Sequence, residues 1–419
     1  MQPLNLSHIK STAKPQPGEA FRAKRWVAQS FDRDETHRRD RITEEAHVIS
    51  NVVWITILAI LAASFAVCAT LVVTQRWHGA LSLDHDLTGA QKIHHNPVPR
   101  VGGLGVLAGL LAGIAVGYTL GGTTWPWVAK LLTCALPTFA AGLIEDMTKR
   151  VSVRTRLLAS FASAALAVWL LDATLLRLDT PLVDDLMLWA PAGVLFTCFA
   201  VGGMTNAINI IDGLNGLASG AVALMLAGLA AIAWQAGDVL VMRLCLWGIA
   251  AMLGFMLLNY PFGRIFLGDG GAYLAGFWLA ECAVMLLHRN PTVSTWAVLL
   301  CVWFPTWETV YSMYRRRRKQ RGTSGEPDMG HLHHLVFKLA GRLPELQGRT
   351  WLRHAAASAM LWMIVAAGQF AAVLWWGQHS LAAMALLGLV GAYLTVYRHF
   401  TVRDGEGTLA TSAWTPSQP

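Results

Sequence analysis

Charge is what this chain has least of. Asp, Glu, Lys and Arg make up 14% of its 419 residues against 54% hydrophobic residues, and mean hydropathy is +0.44. A soluble domain carries about 25% charged residues, so the shortage excludes an ordinary globular enzyme, and the length excludes a single anchor. Cysteine is scarce too. Cys68, Cys134, Cys198, Cys245, Cys282 and Cys301 all fall in apolar runs with no CxxC pair, which excludes a thiolate metal site and leaves buried packing roles. No internal repeat is evident, as paired transporter halves would require. Residues 1–49 lack a short apolar core followed by a small-residue cleavage site, so no cleavable signal is expected there. The net charge of +8 and pI near 9.4 could suit a nucleic-acid binder, but the basic residues sit in loops flanking apolar runs. That placement fits membrane topology and phosphate-rich ligands, with no nucleic-acid partner.

What is abundant is long apolar sequence. Runs of bilayer-spanning length occur about eleven times. They lie near 51–74, 103–122, 126–144, 157–171, 187–208, 217–235, 239–259, 267–287, 293–313, 352–376 and 380–398. The expected fold is an all-α polytopic membrane protein in three parts: a polar, disordered extension at 1–49, a membrane domain at 50–399 and a tail at 400–419.

Against this background a few polar stretches stand out. Asn206, Asn209 and Asp212 recur every third residue, one stripe of a helix, before Gly213 and Gly216 release the backbone. Lipid penalises such a stripe, so it reads as a ligand site, although Asn206 can equally hydrogen-bond between helices and Asp212 can cap a helix. The loop before the second run ends in Lys92, His94 and Arg100 among prolines and glycines, a non-helical backbone beside cationic groups. Glu145 and Asp146 close the third run and lead into Lys149, Arg150, Arg154 and Arg156, which a solvated loop end would also explain. Asp269 is flanked by Gly268, Gly270 and Gly271, where a bulky ligand can approach backbone N–H groups. The longest internal loop, 314–351, holds the basic run Arg315–Lys319, a topology anchor, and His331, His333 and His334. The histidines could bind zinc, but no Cys or Glu stands at ligand spacing beside them, so hydrogen bonding to an anionic ligand is favoured. Glu281 and Glu308, inside runs eight and nine, stay outside the expected site.

Counting runs provides a test. All five of these stretches follow odd-numbered runs and so lie on one face, whereas unrelated polar loops would scatter between faces. The Lys/Arg bias makes that face cytoplasmic. The same count places residues 1–49, rich in Lys and Arg, on the other face, against the positive-inside rule.

Taken together, KIHHNPVPRVGG at 92–103, GLIEDMTKR at 142–150, NAINIIDGLNGLASG at 206–220, FLGDGGAYLAGF at 266–277 and HLHH at 331–334 resemble the polyprenyl-phosphate N-acetylhexosamine-1-phosphate transferases, in family order. The resemblance implies transfer of N-acetylhexosamine 1-phosphate from a UDP-sugar to undecaprenyl phosphate, releasing UMP, at the cytoplasmic face of the bacterial inner membrane. It implies Mg2+, with Mn2+ as the substitute, held by Asp269 and Asn209. Glu145 and Asp146 would stand by the reacting phosphates and Asp212 near the nucleotide. Lys92, His94, Arg100, Arg154 and Asn206 would line the substrates, and His331, His333 and His334 would face the donor diphosphate. The lipid bilayer is the implied surrounding and a homodimer the assembly to test. The family usually has two aspartates where this chain has Glu145 and Asp146, and often a second aspartate where it has Asn215. The residues alone are consistent with the same chemistry, since phosphoryl transfer needs a hard cation on oxygen ligands among positive donors. A lipid-linked sugar transporter or flippase is the alternative of a different class.

Overall fold

A bilayer offers the backbone no water, so a long apolar segment satisfies its N–H and C=O groups by closing on itself as a helix. The computed structural model describes residues 51–82, 98–319 and 330–408, and among them it shows helices and no strand. The helices in chain order begin with α1 (Asn51–Val73), α2 (Gln75–Ser82), α3 (Gly103–Thr119), α4 (Trp125–Thr148) and α5 (Val153–Leu171). Then come α6 (Pro181–Met187), α7 (Ala190–Ile211), α8 (Leu217–Gln235), α9 (Val239–Asn259) and α10 (Gly268–Arg289). The series ends with α11 (Thr295–Cys301), α12 (Trp303–Lys319), α13 (Leu332–Ala340), a 3-10 turn at Pro344–Leu346, α14 (Thr350–Leu374) and α15 (His379–Thr408). The expected extension at 1–49, Lys92 and His94 lie outside the described residues.

Among the described residues, nine helices are long and apolar enough to cross a membrane: α1, α4, α5, α7, α8, α9, α10, α14 and α15. The all-α, polytopic expectation holds; the count of eleven is not reached on these terms. α3 is apolar but only 17 residues long. The run expected at 293–313 is divided, because α11 ends at Cys301 and α12 starts at Trp303. Pro305 sits in the first turn of α12, where a missing N–H costs nothing, whereas inside a continuous helix it would break a bond.

The arrangement is organised around α10. Every residue from Gly268 to Leu287 is buried, and α3, α4, α7, α8 and α9 pack against it. α15 is the opposite case, with most of its apolar length exposed as a lipid-facing helix requires. Close approach of α4 to α10 depends on absent side chains: a Cβ on Gly142 would stand 2.6 Å from the Gly270 nitrogen. At the far end of α10, acids from two loops, Asp238 before α9 and Asp179 before α6, tie the structure together. Asp238 caps α9 at Val241 N (3.2 Å) and pairs with Arg289 (2.7 Å), and Asp179 accepts from Thr295 N (2.6 Å) and His379 (2.8 Å).

Candidate active site

The first N–H groups of any helix have no partner within it. At the start of α10 they are claimed by another helix, since Asp146 on α4 accepts from Asp269 N through Oδ1 and from Gly270 N through Oδ2, both at 2.9 Å. Gly268 makes this possible: its φ is +75°, and a Cβ there would lie 2.1 Å from the Arg100 carbonyl and 2.5 Å from Asp146 Oδ2. The segment entering α3 is stitched to the same turn, with Phe266 N donating to Pro99 O (2.8 Å), and Gly102 N and Gly103 N donating to Phe266 O and Leu267 O (2.9 Å each). Asp269 is thereby fixed at the mouth of the buried helix.

Three side chains converge on that carboxylate. Arg156 Nη1 of α5 pairs with Oδ2, Arg100 Nη2 stands 3.4 Å from Oδ1 and 3.7 Å from Asp146 Oδ1, and Asn209 Nδ2 of α7 donates to Oδ1 at 3.1 Å. Asp212, just past α7, is half-buried and makes no hydrogen bond through its side chain among the described residues, so the helix-capping alternative does not apply to it. Loss of water is the largest influence on it. Arg100 pulls its pKa down while Asp269 and Asp146 push it up, and the carboxyl ends at about 7.

The histidines approach from a fourth direction. His331 Nδ1 lies 2.9 Å from Glu308 Oε1 of α12, which also accepts Leu332 N at 2.9 Å, and the Tyr393 hydroxyl donates to Oε2. His333 stacks on His331 at 5.4 Å and tilts against His334 at 4.2 Å between ring centroids. Its ring packs on Gly213, where a Cβ would stand 2.6 Å from Nε2. Burial and the two neighbouring imidazoles hold the His333 pKa well below the usual histidine range.

All five sequence stretches are therefore joined within the described residues. The individual side chains divide more finely. Arg100, Asp146, Asn209, Asp212 and Asp269 gather at one point, and His331, His333 and His334 border it through Gly213. Glu145 turns aside: its Oε2 accepts Val151 N at 2.8 Å and fastens the loop between α4 and α5. Asn206 donates to Gly202 O (2.8 Å) and Ser160 Oγ (3.4 Å), bonds within and between helices. Arg154 is exposed in the first turn of α5. Asn215 is a brace, with its side chain donating to Pro261 O (3.1 Å) and its carbonyl accepting from Ser358 (2.8 Å). Glu281 is buried about 18 Å along α10 from Asp269 by helix rise.

Two functional-looking residues, Arg156 and Glu308, were left outside the site expected from sequence. For Arg156 a signal exists: it shares a face with Ser160, Ser163 and Ala167 at helical spacing, all buried, whereas Arg154 falls on the exposed face. Glu308 carries only the general signal of an acid in an apolar run.

The Asp269 carboxylate beside the Asn209 amide offers oxygen donors, with the Asp212 carboxylate near enough to feel the charge of Asp269 and Asp146, and oxygen donors suit a hard divalent cation such as Mg2+ and not a soft one.

Residues 128–287, running from α4 to α10, match the glycosyl transferase family 4. The undecaprenyl-phosphate alpha-N-acetylglucosaminyl 1-phosphate transferase of Salmonella typhi is 30% identical over 264 residues, 60% of this chain and 69% of that protein. The chain belongs to glycosyl transferase family 4. A further relative of this family-4 protein is the probable undecaprenyl-phosphate N-acetylglucosaminyl 1-phosphate transferase of Bacillus subtilis (strain 168), 29% identical over 269 residues, 62% of this chain and 72% of that one. The Escherichia coli (strain K12) transferase, named as in Salmonella, is 29% identical over 266 residues, 60% and 69% of the two chains. The matched family segment contains Asp146, Arg156, Asn209, Asp212 and Asp269, while Arg100 and the three histidines stand outside it.

Proposed function

We propose that this family-4 protein transfers N-acetylhexosamine 1-phosphate from a UDP-sugar to undecaprenyl phosphate, initiating synthesis of a cell-envelope polysaccharide such as O-antigen, capsule or exopolysaccharide. The observation that carries this reading is the meeting of Arg100, Arg156 and Asn209 on Asp269 at the mouth of α10, in a chain of this family. The lipid phosphate oxygen attacks the sugar-linked phosphorus, a new P–O bond forms, and the bond to the UMP oxygen breaks. The nucleophile is already anionic near neutral pH, so charge and position are what the protein supplies.

Asp269, Asn209 and Asp212 are the residues that would hold Mg2+, which when bound neutralises charge on the diphosphate. Arg100 and Arg156 bring two guanidinium groups to the same point and can bind phosphate oxygens bidentately. Asp146 is a positioning residue whose two backbone hydrogen bonds set the height of Asp269. Without the ion the Asp212 carboxyl keeps its proton up to about 7, so cation binding there would be coupled to loss of that proton. The histidines face the donor diphosphate across Gly213. The site faces the cytoplasm in a bacterial inner membrane. A transporter would need its polar groups at mid-depth, and here they crowd one end of the helices, which favours the transferase.

Membranes containing the protein, supplied with radiolabelled UDP-N-acetylglucosamine, undecaprenyl phosphate and Mg2+, should yield labelled lipid and UMP. Absence of both with every UDP-N-acetylhexosamine, in folded protein, refutes the transferase. Sizing of the purified protein in detergent tests the homodimer.

A further inference from the structure

One ring nitrogen each from His331 and His333 and one carboxylate oxygen of Glu308 lie within 4.8 Å of one another, all three residues being buried. Among the described residues this is the one such group of three His, Cys, Asp or Glu donors. The objection to a metal at the histidine motif was the want of a nearby acid, and Glu308 removes it from 23 positions away. Two imidazoles and a carboxylate form the three-ligand set of zinc-class cations with a fourth position left for water or substrate, and a poor set for Mg2+.

The spacing is close to what such an ion needs. Bonds of about 2.0–2.2 Å in a tetrahedron place donor atoms about 3.4 Å apart. Glu308 Oε1 and His331 Nδ1 are 2.9 Å apart, so this pair has about 0.5 Å to open as its hydrogen bond gives way to the ion, and the His333 donor has at most about 1.4 Å to close from the 4.8 Å limit. A second observation points the same way. His333 is 2% exposed and its Nδ1 is buried without a hydrogen-bond partner, an arrangement that costs free energy unless something binds there. The outer contacts are also of the kind that orient metal ligands, with Leu332 N and the Tyr393 hydroxyl holding the Glu308 carboxylate.

We propose that Glu308, His331 and His333 form a binding site for a zinc-class divalent cation, separate from the oxygen-donor site at Asp269. The site stands whether or not the protein transfers sugar phosphate, so its test reads metal and not turnover. Full-length protein in detergent is stripped with a chelator, equilibrated with Zn2+ and measured for bound zinc, alongside Glu308→Gln, His333→Gln and Asp269→Asn. Wild type and Asp269→Asn should bind one zinc per chain at this site, and the other two should bind it at least about tenfold more weakly. Co2+ in place of Zn2+ should give the intense visible bands of a four-coordinate ion, lost in His333→Gln. The chain has 14 histidines, so wild-type affinity retained by both folded variants would mean zinc lies elsewhere and overturns the proposal. So does wild type that binds no zinc or lacks four-coordinate bands with Co2+, a result that stands even where a variant fails to fold.

Discussion

Glu145 and Asp146 are neighbours in sequence with different work, and neutralising each in turn separates them. Asp146 accepts two buried backbone N–H groups at 2.9 Å and lies 3.7 Å from Arg100. In Asp146→Asn one N–H keeps an oxygen acceptor and the other faces an amide NH2. A charge-assisted bond contributes about 1.5–3 kcal/mol and an unsatisfied buried N–H costs about 1–3 kcal/mol, so the turn carrying Asp269 loses about 2–4 kcal/mol of support. Expressed in the transition state this is a fall in turnover of about 30- to 1,000-fold. Glu145→Gln still offers an oxygen to Val151 N and gives up about 1 kcal/mol at most, about fivefold. The assay is UMP release under saturating substrates, with both variants checked for folding by gel filtration. Wild-type turnover in Asp146→Asn, or an equal loss in Glu145→Gln, would refute the assignment of positioning to one acid and loop fastening to the other.

Asp269→Asn should lower UMP release by at least about 100-fold, since it removes the charge on which Arg100, Arg156 and Asn209 converge. Arg156→Ala should cost at least about tenfold in kcat/KM while Arg154→Ala stays within about twofold, because only the first guanidinium is partly buried and paired. Asp212 is protonated below and ionised above about 7. Turnover at limiting Mg2+ should therefore rise about tenfold per pH unit up to that point and then level off. Added Mg2+ should shift the bend to lower pH, and Asp212→Asn should remove it. Because the native carboxyl holds its proton more tightly than an unfolded one, with a pKa of about 3.9, this group makes stability decline as pH rises between those values, and thermal melts of Asp212→Asn should lack that slope.

The spans were legible because a bilayer imposes a length and an apolar composition that survive any detail of packing. The break before Trp303 was not, since hydropathy counts side chains and is blind to a proline that begins a helix instead of crossing one. The site was legible as a set of polar stretches standing out from apolar sequence. Its inner order was harder. Arg154 and Arg156 look alike as members of a basic run, and only their helical phase separates the exposed one from the partner of Asp269. The family resemblance pairs Glu145 with Asp146 beside the reacting phosphates, yet consecutive positions on a helix point about 100° apart. Glu308 meets His331 only through tertiary packing, which no local spacing encodes.

The enclosure of α10 has a mechanical consequence. Bilayers differ in thickness, and a helix in contact with lipid answers by tilting or by drawing the surrounding lipid with it. α15 bears that load, exposed along most of its length. α10 is enclosed by other helices, and the backbone N–H groups at its tip, those of Asp269 and Gly270, donate to the Asp146 carboxylate of α4. Changes in membrane thickness therefore reach the reacting groups only through neighbouring helices, and an enzyme that must take its substrate from the lipid keeps its chemistry mechanically insulated from it.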